Sequence, residues 1–217
     1  MNRKFHFLLI LVIFQSCFVP VRRDYLGFSP ALAFNNEKKW LINDLFSDLT
    51  SVQREHLDRK ILAEFNYLSG GKAFSVAEAK SKNLLPSNIS YTPNETELEN
   101  LRTNTDFDFL VNVRTVQLRD EVSTFELNKP LQYSKNSAFA LLEVYDLKTG
   151  KKIYYQKAFS EMDLDRQQNY PEISTENANR NLQENRNKGP FFTYSASSLS
   201  IKNLKKILKD IDKKAVK

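Results

Sequence analysis

Asp106 and Asp108 stand two residues apart where an alternating segment begins, so on an extended strand their carboxylates share one face. Paired carboxylates are the equipment of glycoside hydrolysis, but that chemistry needs a sugar cleft and a defined separation across it. A solvated strand end is the simpler expectation for this pair. Glu161, Asp163 and Asp165 form a second acidic set with the look of Ca²⁺ ligands, yet the spacing lacks the loop Gly and terminal Glu of an EF-hand. His56, in Arg54-Glu55-His56-Leu57, has only His6 as a fellow, too few for a His-based metal centre. Nor is there a second His beyond residue 6 to complete a hydrolase triad. One Cys excludes an intrachain disulfide and any CxxC site, and five scattered Gly spell no phosphate-binding or G-x-S-x-G loop. Asn88-Ile-Ser and Asn94-Glu-Thr match the glycosylation acceptor by coincidence of composition. The expectation is a chain with no catalytic residue, no metal and no cofactor.

The chemistry that remains belongs to Cys17. Met-Asn-Arg-Lys opens the chain, an eight-residue apolar run spans Phe7 to Phe14, and Gln15-Ser16-Cys17 follows. A basic start and a short apolar run describe a signal segment, since a spanning helix needs roughly 20 apolar residues. The only Cys directly after a small residue at the end of that run resembles the lipobox of bacterial lipoproteins. Phe14 and Gln15 replace the usual Leu and small residue of that motif. The resemblance implies that the thiol takes diacylglycerol, that residues 1–16 are removed, and that Cys17 becomes the lipidated N-terminus. Acyl chains at about 0.8 kcal/mol per buried CH₂ would then hold the protein on a membrane. The organisation expected is a signal peptide (1–16), a tether (17–23) and a single α/β domain (24–217) with a polar, mobile insert at 161–190. The address expected is the bacterial cell envelope, at its outer membrane.

Charge points the same way. Without residues 1–16 the chain holds 30 basic and 26 acidic residues, and seven Lys against two Asp in residues 201–217 account for the whole excess. Residues 17–200 carry a net of −1. A nucleic-acid binder needs a basic groove with aromatic or Arg readers, so nucleic acid is not an expected partner.

The elements that position these residues follow from periodicity. Tyr25 to Ala33 suggests a first strand, with Pro30 as an edge signal. Trp40, Leu41, Leu45, Phe46 and Leu49 have helical spacing, as do Leu57, Ile61, Leu62, Phe65 and Leu68 after a Thr50/Gln53 capping box. Two consecutive helices are therefore predicted, the second stopped by Ser69-Gly70-Gly71. A short strand at Ala73-Phe74 leads into a brief helix capped by Ser75 and closed by Pro86. Thr92-Pro93-Asn94-Glu95 predicts another helix, from Pro93 to Arg102. Beyond Phe107 the period becomes 2. Phe107, Phe109, Val111 and Val113 are assigned to one face, and strands at Ser137–Leu147 and Lys152–Phe159, joined through Gly150, complete a meander. Residues 161–190 hold six Asn and few apolar anchors. From Leu199 a closing helix places Ile201, Leu204, Leu208, Ile211 and Ala215 in one stripe, flanked by lysines. Three readings fit that stripe: docking on its own sheet, pairing with a second copy, or lying on anionic lipid.

Thr105-Asp-Phe-Asp-Phe-Leu-Val-Asn112 on one strand and Val144-Tyr-Asp-Leu-Lys-Thr-Gly150-Lys in the next hairpin, with helices before and after, resemble a group of envelope proteins. These are small lipoproteins similar to the curli secretion lipoprotein, the outer-membrane activators of penicillin-binding proteins, and the N-terminal domain of TolB. The resemblance implies an α/β (α+β) sandwich with a mixed sheet, a role in binding an envelope protein or further copies of the chain, and no catalysis. A carboxylate hydrolase on Asp106 and Asp108, or a small-ligand carrier between the sheet and the aromatic-rich helices, are the alternatives.

Overall fold

The computed structural model describes residues 21–26, 34, 37–82, 84–85, 89–121, 133–165 and 194–214. In chain order the elements are β1 (Val21–Leu26), β2 (Trp40–Ile42), β3 (Phe46–Ser47), α1 (Ser51–Leu68), β4 (Ala73–Ser75), α2 (Val76–Ser81), α3 (Glu95–Asn104), β5 (Phe109–Asp120), β6 (Tyr133–Asp146), β7 (Lys151–Asp165) and α4 (Ala196–Lys214). The strands form one mixed sheet in the order β1-β7-β6-β5-β2-β4, with β3 pairing β5 beside this path. β2 runs parallel to both β4 and β5, and the meander from β5 through β7 is antiparallel. The expected α+β class with a mixed sheet is what the chain adopts.

Helices cover both faces. On one side Leu57, Ile61 and Phe65 of α1 and Leu204, Ile207, Leu208 and Ile211 of α4 pack with Val111, Leu142 and Tyr154. On the other, Val76 and Ala79 of α2 and Leu98 and Leu101 of α3 meet Leu41, Leu110 and Tyr145. The closing helix thus docks on its own sheet, the first of its three readings. Each Leu or Ile buried in this way is worth about 1.5–3 kcal/mol. Polar contacts select its register: Ser160 Oγ donates to Asn203 Oδ1, Asn203 Nδ2 donates to the Ala138 carbonyl at 2.9 Å, and Gln156 Nε2 donates to Asp210 at 3.2 Å.

Local signals act as expected in several places. Thr50 and Gln53 form the reciprocal capping box of α1, and Gly70 (φ 62°) and Gly71 (φ 84°) turn the chain after it. Gly150, at φ 65°, closes the β6–β7 turn by donating its N–H to the Asp146 carbonyl at 2.9 Å.

Elsewhere the structure corrects the reading. Residues 40–49 form no helix. Trp40 and Ile42 enter one core and Leu41 the other, so the segment has period 2, and its backbone bonds go to β4 and β5. Leu45 and Leu49 return to the first core from the loops on either side of β3, which mimics helical spacing. The first strand is Val21–Leu26, antiparallel to β7, and so takes up 21–23 of the expected tether; residues 27–33 lie outside the described set. α3 starts two residues later than predicted, because Asn94 accepts from the Glu97 amide at 2.8 Å while the Glu97 carboxylate accepts from the Asn94 amide at 2.9 Å. Two reciprocal bonds outweigh the Pro93 signal. Phe107 precedes β5 and packs in the α2/α3 core, opposite Phe109. β7 continues through Glu161 to Asp165, paired with β6. The rest of the polar insert, 166–190, lies outside the described residues, as do residues 1–16, Cys17, Pro86, Asn88 and Ala215.

Candidate functional site

The structure gives different surroundings to the two aspartates that the sequence places together, although both bind Lys39. Asp106 is 57% exposed at its side chain and pairs with Lys39. Asp108, at 16%, accepts from the Lys39 amide at 3.0 Å and Lys38 Nζ at 3.2 Å, with Lys148 Nζ at 3.4 Å. Its own carbonyl accepts from the Leu147 amide at 2.9 Å. Burial pushes the Asp108 carboxyl upward, but the Lys39 amide and the Lys38 and Lys148 ammonium groups outweigh it and hold it below the usual range. A general acid needs the opposite shift. Asp108 is a clasp joining the starts of β2 and β5 to the β6–β7 turn. The strand motif and the hairpin motif therefore meet in space. Asp146 completes the turn by accepting from the Lys148 amide at 2.8 Å.

The other candidates are dispersed. His56 is exposed on α1. Glu161 pairs with Lys135 at 2.7 Å, and Asp163 and Asp165 fall on β7 rather than in a loop. Asn94 is the cap of α3. Among the described residues no three His, Cys, Asp or Glu side chains converge as a metal site. The space between the sheet and α1, where a carrier would hold its ligand, is filled by the rings of Phe34, Trp40, Phe65 and Phe109, with centroids 4.4–5.9 Å apart.

Two polar groupings have no forerunner in the sequence reading. Glu143 is only 4% exposed and is neutralised by Lys152 at 2.5 Å and Arg114 at 3.6 Å. Burial works against the charge on Lys152, yet the Glu143 carboxylate prevails and raises that ammonium above its ordinary value. The second grouping lines a cleft of about 500 Å³ just past the carboxyl end of β2: Asp44, Leu45, Ser51, Arg54, Glu55, Asp58 and Tyr91. Ligands gather at such strand ends in open α/β sheets.

Asp58 reaches this cleft from α1 and accepts from the Leu45 amide at 2.8 Å. Burial raises its carboxyl, opposed by that amide and reinforced by Asp44. Burial also raises the Tyr91 hydroxyl, with Asp44 and Asp58 adding to the effect. The Tyr91 ring stands edge-on to Phe46 at 5.0 Å. Phe46, 50% exposed, packs on the lining residue Tyr91, so the charged cleft carries an apolar edge. One sequence signal points to Asp58: it stands three and four residues before Ile61 and Leu62, an acid set in an apolar stripe.

No family model matches the sequence, and no curated protein matches it. Among solved structures the chain is similar to PelC from Paraburkholderia phytofirmans, solved as a dodecamer, at 8% identity and TM-score 0.41, covering 66% of this chain and 83% of that one. It is similar to lipoprotein GNA1162 from Neisseria meningitidis at 13% identity and TM-score 0.36, covering 58% and 83%. It is also similar to the LpoB C-terminal domain from Escherichia coli at 13% identity and TM-score 0.31, covering 56% and 81%. At 8–13% identity none of these likenesses assigns a role to a residue.

Proposed function

We propose that this chain is a lipid-anchored lipoprotein of the bacterial cell envelope, held at the outer membrane by acyl chains on Cys17. It acts, without catalysis, as a module that binds another envelope protein or further copies of itself. The observation that carries the reading is the position of the one cysteine, directly after a small residue at the end of a short apolar run and four residues before β1. Lipid attachment needs a thiol at that point, and the fold begins immediately beyond it. The carboxylates that a hydrolase would use support the same reading from the other side, since Asp108 is committed to Lys38, Lys39 and Lys148. Binding is assigned to the cleft lined by Asp44, Arg54 and Glu55 and edged by the exposed Phe46, an apolar and charged mixture suited to a protein partner.

Mass spectrometry of the N-terminal peptide tests the anchor. A diacylglyceryl-modified Cys17 is expected, and a free thiol there ends the reading. Mild cross-linking in envelope fractions tests the binding role, with wild type expected to recover a partner or oligomer that Phe46→Ala and Arg54→Glu lose. Equal recovery from all three proteins would remove the cleft from the account.

A further inference from the structure

The outer face of α4 is a lysine surface. At 100° per residue, Lys202, Lys205, Lys206, Lys209 and Lys213 fall within about 100° of arc, opposite the buried stripe of Leu204, Ile207, Leu208 and Ile211. Of the two acids of the helix only Asp212 is exposed, at the edge of this arc, so the five lysines outnumber it. Asp210 is buried and accepts from Gln156, and the Asp212 charge adds to the burial that raises the Glu64 carboxyl. Among the described residues Lys205, Lys206, Lys209 and Lys213 form no ion pair, and Lys202 sits over the Tyr194 ring at 5.1 Å.

The start of α4 lies on the strand that pairs with β1, the strand that follows the anchor. Val21, the first residue of β1, is the register partner of Ser160, and Ser160 Oγ donates to Asn203, the neighbour of Lys202 on α4. Cys17 is four residues from Val21, a span of at most about 14 Å. A lipidated Cys17 would tether this end of the domain within reach of the headgroup layer, and α4 feels the field of anionic lipid, which extends about one Debye length, roughly 8–10 Å, when its lysine face lies against that layer. We infer that the lysine face of α4 rests on anionic phospholipid headgroups of the membrane to which Cys17 is attached, fixing how the domain is presented to its partner. This rests on the lipoprotein reading for the anchor, and on charge and position for the orientation.

The full chain, placed on vesicles of phosphatidylcholine alone or with phosphatidylglycerol added, is treated with a membrane-impermeant amine-acylating reagent and each lysine is read by mass spectrometry. Lys205, Lys206, Lys209 and Lys213 should label severalfold more slowly on the anionic vesicles, and high salt should abolish the difference. Lys72 and Lys151, exposed elsewhere, should label alike on both. A chain with all four lysines changed to Gln keeps the buried stripe and should lose any preference for anionic vesicles. Equal labelling on both vesicles, or an unchanged preference in the Gln variant, overturns the inference. Protection in native envelopes without protection on anionic vesicles also overturns it, by assigning the face to a protein. Retention on neutral vesicles reads the anchor alone: a chain that washes off them refutes lipidation of Cys17, while its labelling on anionic vesicles at low salt still judges the lysine face.

Discussion

Asn43 Nδ2 donates to Asn112 Oδ1 at 3.1 Å, joining two buried amides 69 residues apart. Asn112 Nδ2 in turn donates to the Tyr91 carbonyl at 3.1 Å, and Asn43 Oδ1 accepts from the Asp44 amide at 3.0 Å. The pair ties the end of β2 to β5 and holds the loop that brings Tyr91 into the cleft, so two of the cleft's loop residues, Asp44 and Tyr91, depend on it.

Asn112→Ala should destabilise the domain by about 1–3 kcal/mol, the cost of leaving buried amide partners unpaired. Denaturant melts measure it. A double-mutant cycle with Asn43→Ala should show coupling, and additive losses would mean that the two amides act independently.

Asp108 and Asp58 should respond to pH in opposite directions. Asp108 has its carboxyl lowered in the folded state, so its contribution is present above the unfolded value of about 4 and is lost as pH falls through the folded value. Stability of the wild type should therefore fall on acidification more than that of Asp108→Asn, as read by urea midpoints across the acid range.

Asp58 has its carboxyl raised by burial, so its favourable contribution is complete below about pH 4 and is lost as pH rises through the folded value. Asp58→Asn keeps an acceptor for the Leu45 amide and does not titrate. It should gain on the wild type as pH rises toward neutrality, and a constant difference at all pH values would contradict the burial argument.

Leu208→Ala should cost about 2–5 kcal/mol, since it empties a fully buried place between α4 and the sheet. Lys209→Ala, one residue on and exposed, should stay within about 0.5 kcal/mol of wild type. Thermal melts that moved equally for both would deny that α4 is docked by its apolar stripe.

His56→Ala should likewise leave melting within about 0.5 kcal/mol, as expected for an exposed position on α1.

Elements whose signals are local could be read from the amino-acid order: the Thr50/Gln53 box, the Ser69-Gly70-Gly71 stop, the Gly150 turn, the β5–β7 meander and the division of α4 into apolar and lysine faces. Capping and periodicity act between residues within a turn or along one strand, so spacing alone records them. Trp40–Ile42 could not be read that way, because a three-residue strand is made by its parallel neighbours β4 and β5 rather than by its own pattern. The roles of the acids were decided in the same manner. Asp108 became a clasp through lysines 40 and 70 residues away, and the Asp58 carboxyl rose because the fold buried it beside Asp44. A charge acquires its chemistry from burial and from partners brought by the fold; spacing can set an acid such as Asp58 in an apolar stripe, but the partners 40 and 70 residues away leave no trace in it.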